Sequence, residues 1–225
     1  MKKIILALTA TAFLFAMTGC GKEDEQKAEK PKAAEKQEKK AKEDDFIRGK
    51  WVDFVYTNEF LNLSFQLPEG FIHANDEQLA EMMNLTLEDV SNGSELSKEI
   101  LKQRVIMDMV VKQSDGGSGV NIVLENLSTV NNYQEFTVEQ YAESARDLLT
   151  RQGAVIQGTH QEELAGETYL VITSDLKQGE EIVHNRQFCK KYGKYMMVIT
   201  FSTLNDHERF YEQLKANFHH GYQEV

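Results

Sequence analysis

An α+β fold, built on a mostly antiparallel sheet with helices laid on its faces, is predicted by three observations. Short runs that alternate apolar and polar residues recur through residues 46–225. The last four runs are separated by only four to seven residues, too few for a parallel crossover. Between other runs lie segments whose apolar residues recur at helical spacing.

The elements follow in order. Trp51–Tyr56 and Leu61–Leu67 read as strands around a turn at Asn58-Glu59, with Leu61, Leu63, Phe65 and Leu67 on one face. Pro68-Glu69-Gly70 ends the second, because proline cannot donate to a ladder and glycine permits a tight turn. Asp76 is placed to cap a helix over 77–91 whose stripe is Leu79, Met82, Met83 and Val90, and a shorter helix is expected over Glu95–Lys102. Val105–Val111 and Val120–Leu127 form a hairpin across Asp115-Gly116-Gly117-Ser118-Gly119. Thr137 and Gln140 have the spacing of a capping box, and the helix they open buries Tyr141, Ala145, Leu148 and Leu149 before Gly153 stops it. Four strands follow, Ala154–His160, Thr168–Leu176, Glu181–Cys189 and Tyr195–Ser202. A last helix runs from about Asp206 to Phe218, with Phe210, Leu214 and Phe218 four apart. There is no βαβαβ alternation and no GxGxxG after a strand, which argues against a dinucleotide-binding fold.

The chain divides into three parts. Lys2 and Lys3 precede an apolar run, Ile4–Met17, that is shorter than the ~20 residues a spanning helix needs. Met17-Thr18-Gly19-Cys20-Gly21 closes it and resembles the lipoprotein box of bacteria, with Met17 where leucine is usual. The resemblance implies a signal peptide over 1–19, cleavage between Gly19 and Cys20, and a diacylglyceryl group on Cys20, with further acylation such as palmitate. Two acyl chains hold far more firmly than one, since each buried methylene contributes about 0.8 kcal/mol.

Residues 20–45 read as the lipidated cysteine and a charged tether. Positions 21–45 hold eight Lys, nine Asp or Glu, and neither an aromatic nor a large aliphatic residue, so they are expected to be disordered. Residues 46–225 form one domain with fifteen Lys or Arg against 27 Asp or Glu, a net charge of −12. Such a surface repels nucleic acid and anionic lipid, so no nucleic-acid partner is expected.

Leu63–Phe71, Asn121–Leu127 and Tyr192–Phe201, together with the order of elements, are similar to the Mog1/PsbP-like α/β/α sandwich found among uncharacterised lipoproteins of Gram-positive bacteria. That resemblance implies a non-enzymatic accessory or binding domain, with no catalytic residue, cofactor or metal site to carry over.

Once Cys20 is acylated, Cys189 stands alone, and His184, five residues away on the same strand, faces the other side. The six histidines, His73, His160, His184, His207, His219 and His220, form no HExxH or similar metal pattern, and His219-His220 are expected at a helix C-terminus. Glu162-Glu163 and Glu180-Glu181 are expected at turns, as solvated acids. The glycine-rich turn lacks the Lys-Ser/Thr ending of a phosphate cradle. Met82, Met83, Met107, Met109, Met196 and Met197 are read as core, with an adaptable binding surface as the other use of such residues.

The expected function is therefore a lipoprotein held through Cys20 on the outer face of the cytoplasmic membrane. It would bind a protein or cell-envelope partner without catalysis. A lipoprotein that binds a solute or lipid in an apolar pocket, and a cell-envelope hydrolase, are the alternatives.

Overall fold

In a computed structural model, the structure describes residues 46–85, 104–204 and 207–221. The signal peptide, Gly19, Cys20, the tether, the helix expected over Glu95–Lys102 and the end of the helix expected over 77–91 lie outside the described residues.

Seven strands form one antiparallel sheet: β4 (Phe71–His73), β5 (Val105–Gln113), β6 (Gly119–Asn126), β7 (Val155–Leu164), β8 (Glu167–Gln178), β9 (Glu181–Tyr192) and β10 (Tyr195–Thr203), in the order β4-β5-β6-β10-β9-β8-β7. A smaller antiparallel sheet is built from β1 (Lys50–Val52), β2 (Val55–Asn58), β3 (Leu63–Gln66) and β11 (Phe218–His220), in the order β1-β2-β3-β11. The α-helices among the described residues are α1 (Asp76–Met83), α2 (Val138–Arg151) and α3 (His207–Lys215). Among the described residues no helix is long and apolar enough to cross a membrane.

The β7-to-β10 meander follows from its turns. Leu164 pairs with Glu167, Gln178 with Glu181 and Tyr192 with Tyr195, so each connection is a two-residue turn. At Ala165-Gly166 both residues have positive φ, 52° and 75°, the twist that joins adjacent strands most directly. Every residue of β10 is buried. Its alternate residues divide between two apolar clusters: Tyr195, Met197, Ile199 and Phe201 join one, Met196 and Val198 the other. A central strand covered on both faces reads as a continuous apolar run for this reason.

On one side, α2 supplies Tyr141, Ala142, Ala145 and Leu149 to the second cluster. Its capping box is as expected: Thr137 Oγ1 accepts from Gln140 N at 3.3 Å, and Gln140 Oε1 from Thr137 N at 2.9 Å. On the other side lie Leu63 and Phe65 of the small sheet, Leu79 of α1, and Tyr211 and Leu214 of α3. Aromatic rings fill this larger cluster in contact after contact, Phe65 with Phe218, Phe218 with Phe201, Phe201 with Phe188.

Several expectations are corrected. Trp51–Tyr56 is not one strand: it breaks at Asp53-Phe54, where Asp53 has φ 52°, and folds back as the β1–β2 hairpin. Asn75, not Asp76, caps α1, because its side chain accepts from Gln78 N while Gln78 returns a bond to Asn75 N. The last helix stops at Lys215, and Phe218 is a strand residue paired with Phe65. Phe218 is buried between the sheets, which offsets the loss of a further helical turn. The two strands not foreseen, β4 and β11, have three residues each, too few to show a period.

Candidate functional site

Asp108 interrupts the apolar run of β5 at a β-bulge, where the β5–β6 register shifts between Met107 and Met109. Its side chain is wholly buried and meets groups drawn from the opening segment and from β2. Gly49 N donates to Oδ1 at 3.0 Å, and Asn58 Nδ2 donates to Oδ2 at 2.8 Å. Tyr56 Oη also donates to Oδ2, and Arg48 Nε lies 3.8 Å from Oδ1. Burial pushes the Asp108 carboxyl above its ordinary value, while Arg48 and the three donors pull it back. Burial and the neighbouring Asp108 raise the Tyr56 phenol well above its own. A Cβ on Gly49 would come within 2.3 Å of the Tyr56 ring, so only glycine fits there. Phe46, fully buried against Phe60 and Tyr195, completes this clasp on the start of the domain.

The clasp holds the β1–β2 hairpin. Trp51 stacks on His73 with ring centroids 4.2 Å apart and packs against Tyr56 at 5.5 Å. The turn beyond presents Phe54, 66% exposed.

A second polar cluster joins β8, β9 and α3. His184 Nδ1 lies 2.7 Å from Asp175 Oδ1, and the His184 ring stacks on His207 at 4.0 Å. Glu208 accepts from Arg186 at 2.5 Å and lies 3.4 Å from His207 Nε2. Arg186 covers the Tyr211 ring at 3.7 Å, while Tyr211 and Lys215 both bond Glu162. Burial pushes Glu162 up, yet its bonds from Lys215, Tyr211 and His160 leave it below the ordinary carboxylate value. His184 has the orienting carboxylate of a general base, but its ring is stacked under a second imidazole rather than open to a cleft. The cluster pins α3 to the sheet. Among the described residues no group of three or more His, Cys, Asp or Glu is placed to hold a metal ion.

Cys189 is buried in the α2-side cluster, away from His184, and burial raises its thiol well above the ordinary value. A thiol-specific disulfide reagent at pH 8 is therefore expected to leave Cys189 unlabelled in the native protein and label it fully in guanidinium. Peptide mapping checks this, and native labelling within minutes would mean an exposed thiol.

His219 and His220 sit in β11, not at a helix end; His220 Nε2 is 3.1 Å from Asn62 Nδ2. Glu162 and Glu163 lie within β7 rather than in a turn. Glu180 does lie in the β8–β9 turn. Met107, Met109, Met196 and Met197 are core, whereas Met82 is 53% exposed. Asp108 escaped notice, although a lone acid inside Val105–Val111 is the signal that could have found it.

Two openings lie among the described residues. A crevice beside Arg104, Glu125 and Phe136 has about 10 Å³. A wide groove of about 400 Å³ between α2 and β7 is lined by Glu143, Arg146, Asp147 and Val155.

No protein-family model matches this chain, and no curated protein matches it. Among solved structures it is similar to cyanobacterial PsbP (CyanoP) from Synechocystis, at 12% identity and a TM-score of 0.44, covering 73% of this chain and 90% of that one. It is similar to a Pseudomonas aeruginosa protein of unknown function at 13% identity and a TM-score of 0.33, covering 42% and 68%. A Bacteroides thetaiotaomicron structure is similar at 7% identity and a TM-score of 0.41, covering 75% of this chain and 48% of that one. Likenesses at this level carry nothing about activity or partners.

Proposed function

We propose that this protein is a lipid-anchored, extracytoplasmic binding module. Its single domain is a Mog1/PsbP-like α/β/α sandwich that engages a protein or cell-envelope partner without catalysis. Cys20 carries the lipid after cleavage behind Gly19, and residues 21–45 are the tether. The observation that favours this reading over solute binding is the filled space between the sheets. Tyr56, Phe65, Phe188, Phe201 and Tyr195 are each at most 1% exposed there, where a solute-binding domain would hold its ligand. Tethering would keep the domain at high effective concentration near a membrane-bound partner.

Cys20→Ala is expected to move the protein from the membrane fraction to the medium, or to leave it unprocessed in the cell. A variant that still fractionates and processes normally would remove the lipid from this account. Turnover of an envelope polymer by the pure protein would replace the binding module with a hydrolase.

A further inference from the structure

We infer that the β1–β2 turn is the docking point for a protein partner, and that Phe54 anchors it in an apolar pocket surrounded by basic groups. This rests on the binding-module reading and names the surface and the partner's chemistry.

Phe54 gains little from the fold where it stands. It occupies the second position of a two-residue turn, since Val52 pairs with Val55 across Asp53-Phe54. Such turns favour Gly, Asn and Asp. Asp53 takes the left-handed conformation, φ 52°, and the turn leaves the Phe54 ring in water. Isolated exposed apolar residues are ordinary on any surface. This one is not isolated: Val52 is 39% exposed, and half-buried Leu67 donates its N–H to Phe54 O at 2.8 Å.

The turn is also held stiffly. Trp51 is fixed by its stack on His73, and Tyr56, at the other side of the turn, is bonded to Asp108. An aromatic on a pre-organised support binds with a smaller entropy cost than one on a mobile loop, and aromatic anchors dominate most interfaces.

Position and charge select the occupant. Residue 46, where the tether joins, packs against Phe60 and Tyr195 at one end of the sheets. Phe54 lies at the other end, because Val55 pairs with Gln66 and the chain then turns into Phe71, opposite Gln113. The nine residues of β10 span the large sheet between these ends, about 30 Å at the usual rise. Phe54 therefore stands at the end of the domain away from the junction at residue 46, clear of the opening segment. A second copy would bring −12 against −12. Exposed Asp53 and Glu69 border the turn, so a basic rim complements it.

The test places a photo-crosslinking phenylalanine analogue at Phe54, at Ile47 near the tether, or at Ile182 on β9, in the full-length protein in the producing cells. Phe54 is expected to give one discrete protein adduct, with the contact peptide rich in apolar and basic residues; Ile47 and Ile182 are not. With that protein purified, Phe54→Asp should weaken binding at least tenfold. Phe54→Leu should retain most of it, with both variants melting like the parent. An adduct at twice the chain's mass, a lipid adduct, or adducts from Ile47 or Ile182 alone would overturn the Phe54 site and leave the binding module standing. No adduct from any position would overturn both.

Discussion

Asp108→Ala is expected to lower the domain's stability by roughly 3–5 kcal/mol, the cost of leaving buried partners of a charge without it. The variant strands the Tyr56 hydroxyl, the Asn58 amide and Gly49 N–H in a dry site beside Arg48. It should also loosen the opening segment and the hairpin that presents Phe54. Urea unfolding would read the first effect and amide hydrogen exchange across β1 and β2 the second. A change under about 1 kcal/mol would mean that water reaches the site.

The pH dependence supplies an independent check. Burial raises the Asp108 carboxyl, so the folded state binds this proton more tightly than the unfolded state does. The stability it contributes is full below the unfolded value of about 4. It declines as pH climbs through the raised folded value. Glu162 and Glu167 are lowered, so their contribution runs the other way, present above the unfolded value and lost as pH falls. Subtracting the stability curve of Asp108→Asn from that of the parent removes those shared terms. The difference should fall with rising pH from about 4. A difference that rises would mean that the four surrounding groups outweigh burial.

Phe201→Ala carries the other large effect, about 3–5 kcal/mol. The Phe201 ring is 1% exposed and lies 5.3 Å from Phe188, 5.3 Å from Tyr211 and 5.7 Å from Phe218. Removing it opens a cavity where β9, β10, α3 and β11 meet. Calorimetry should show a melting point lower by roughly 6–20 °C. Phe201→Leu, which keeps most of the volume, should cost less than half as much. Equal losses in the two variants would point to ring geometry rather than volume.

The legible parts of this chain were those encoded within a short window. Alternation over Thr168–Leu176 and the Lys177–Glu180 gap require a hairpin whatever the rest of the chain does. Thr137 and Gln140 settle their bonds three residues apart. The opposed facing of His184 and Cys189 follows from strand geometry alone, and the structure has it. The Asp53-Phe54 break was not legible, because Trp51–Tyr56 alternates acceptably as one strand and only pairing shows the fold-back.

The sequence by itself determined the larger strands, the antiparallel pairing of those joined by short turns, the α2 cap and the acidity of the domain, since periodicity, turn length and charge are local or additive. Only the tertiary structure decided that Asp108 meets Gly49 and Tyr56, that Phe218 leaves the helix to pair with Phe65, and that the hairpin carrying Phe54 is braced from beneath. Those contacts join residues that lie far apart along the chain, from Trp51 and His73 to Phe65 and Phe218. A long-range contact depends on which buried groups remain unsatisfied after the local elements have formed, and that is a property of the packed chain.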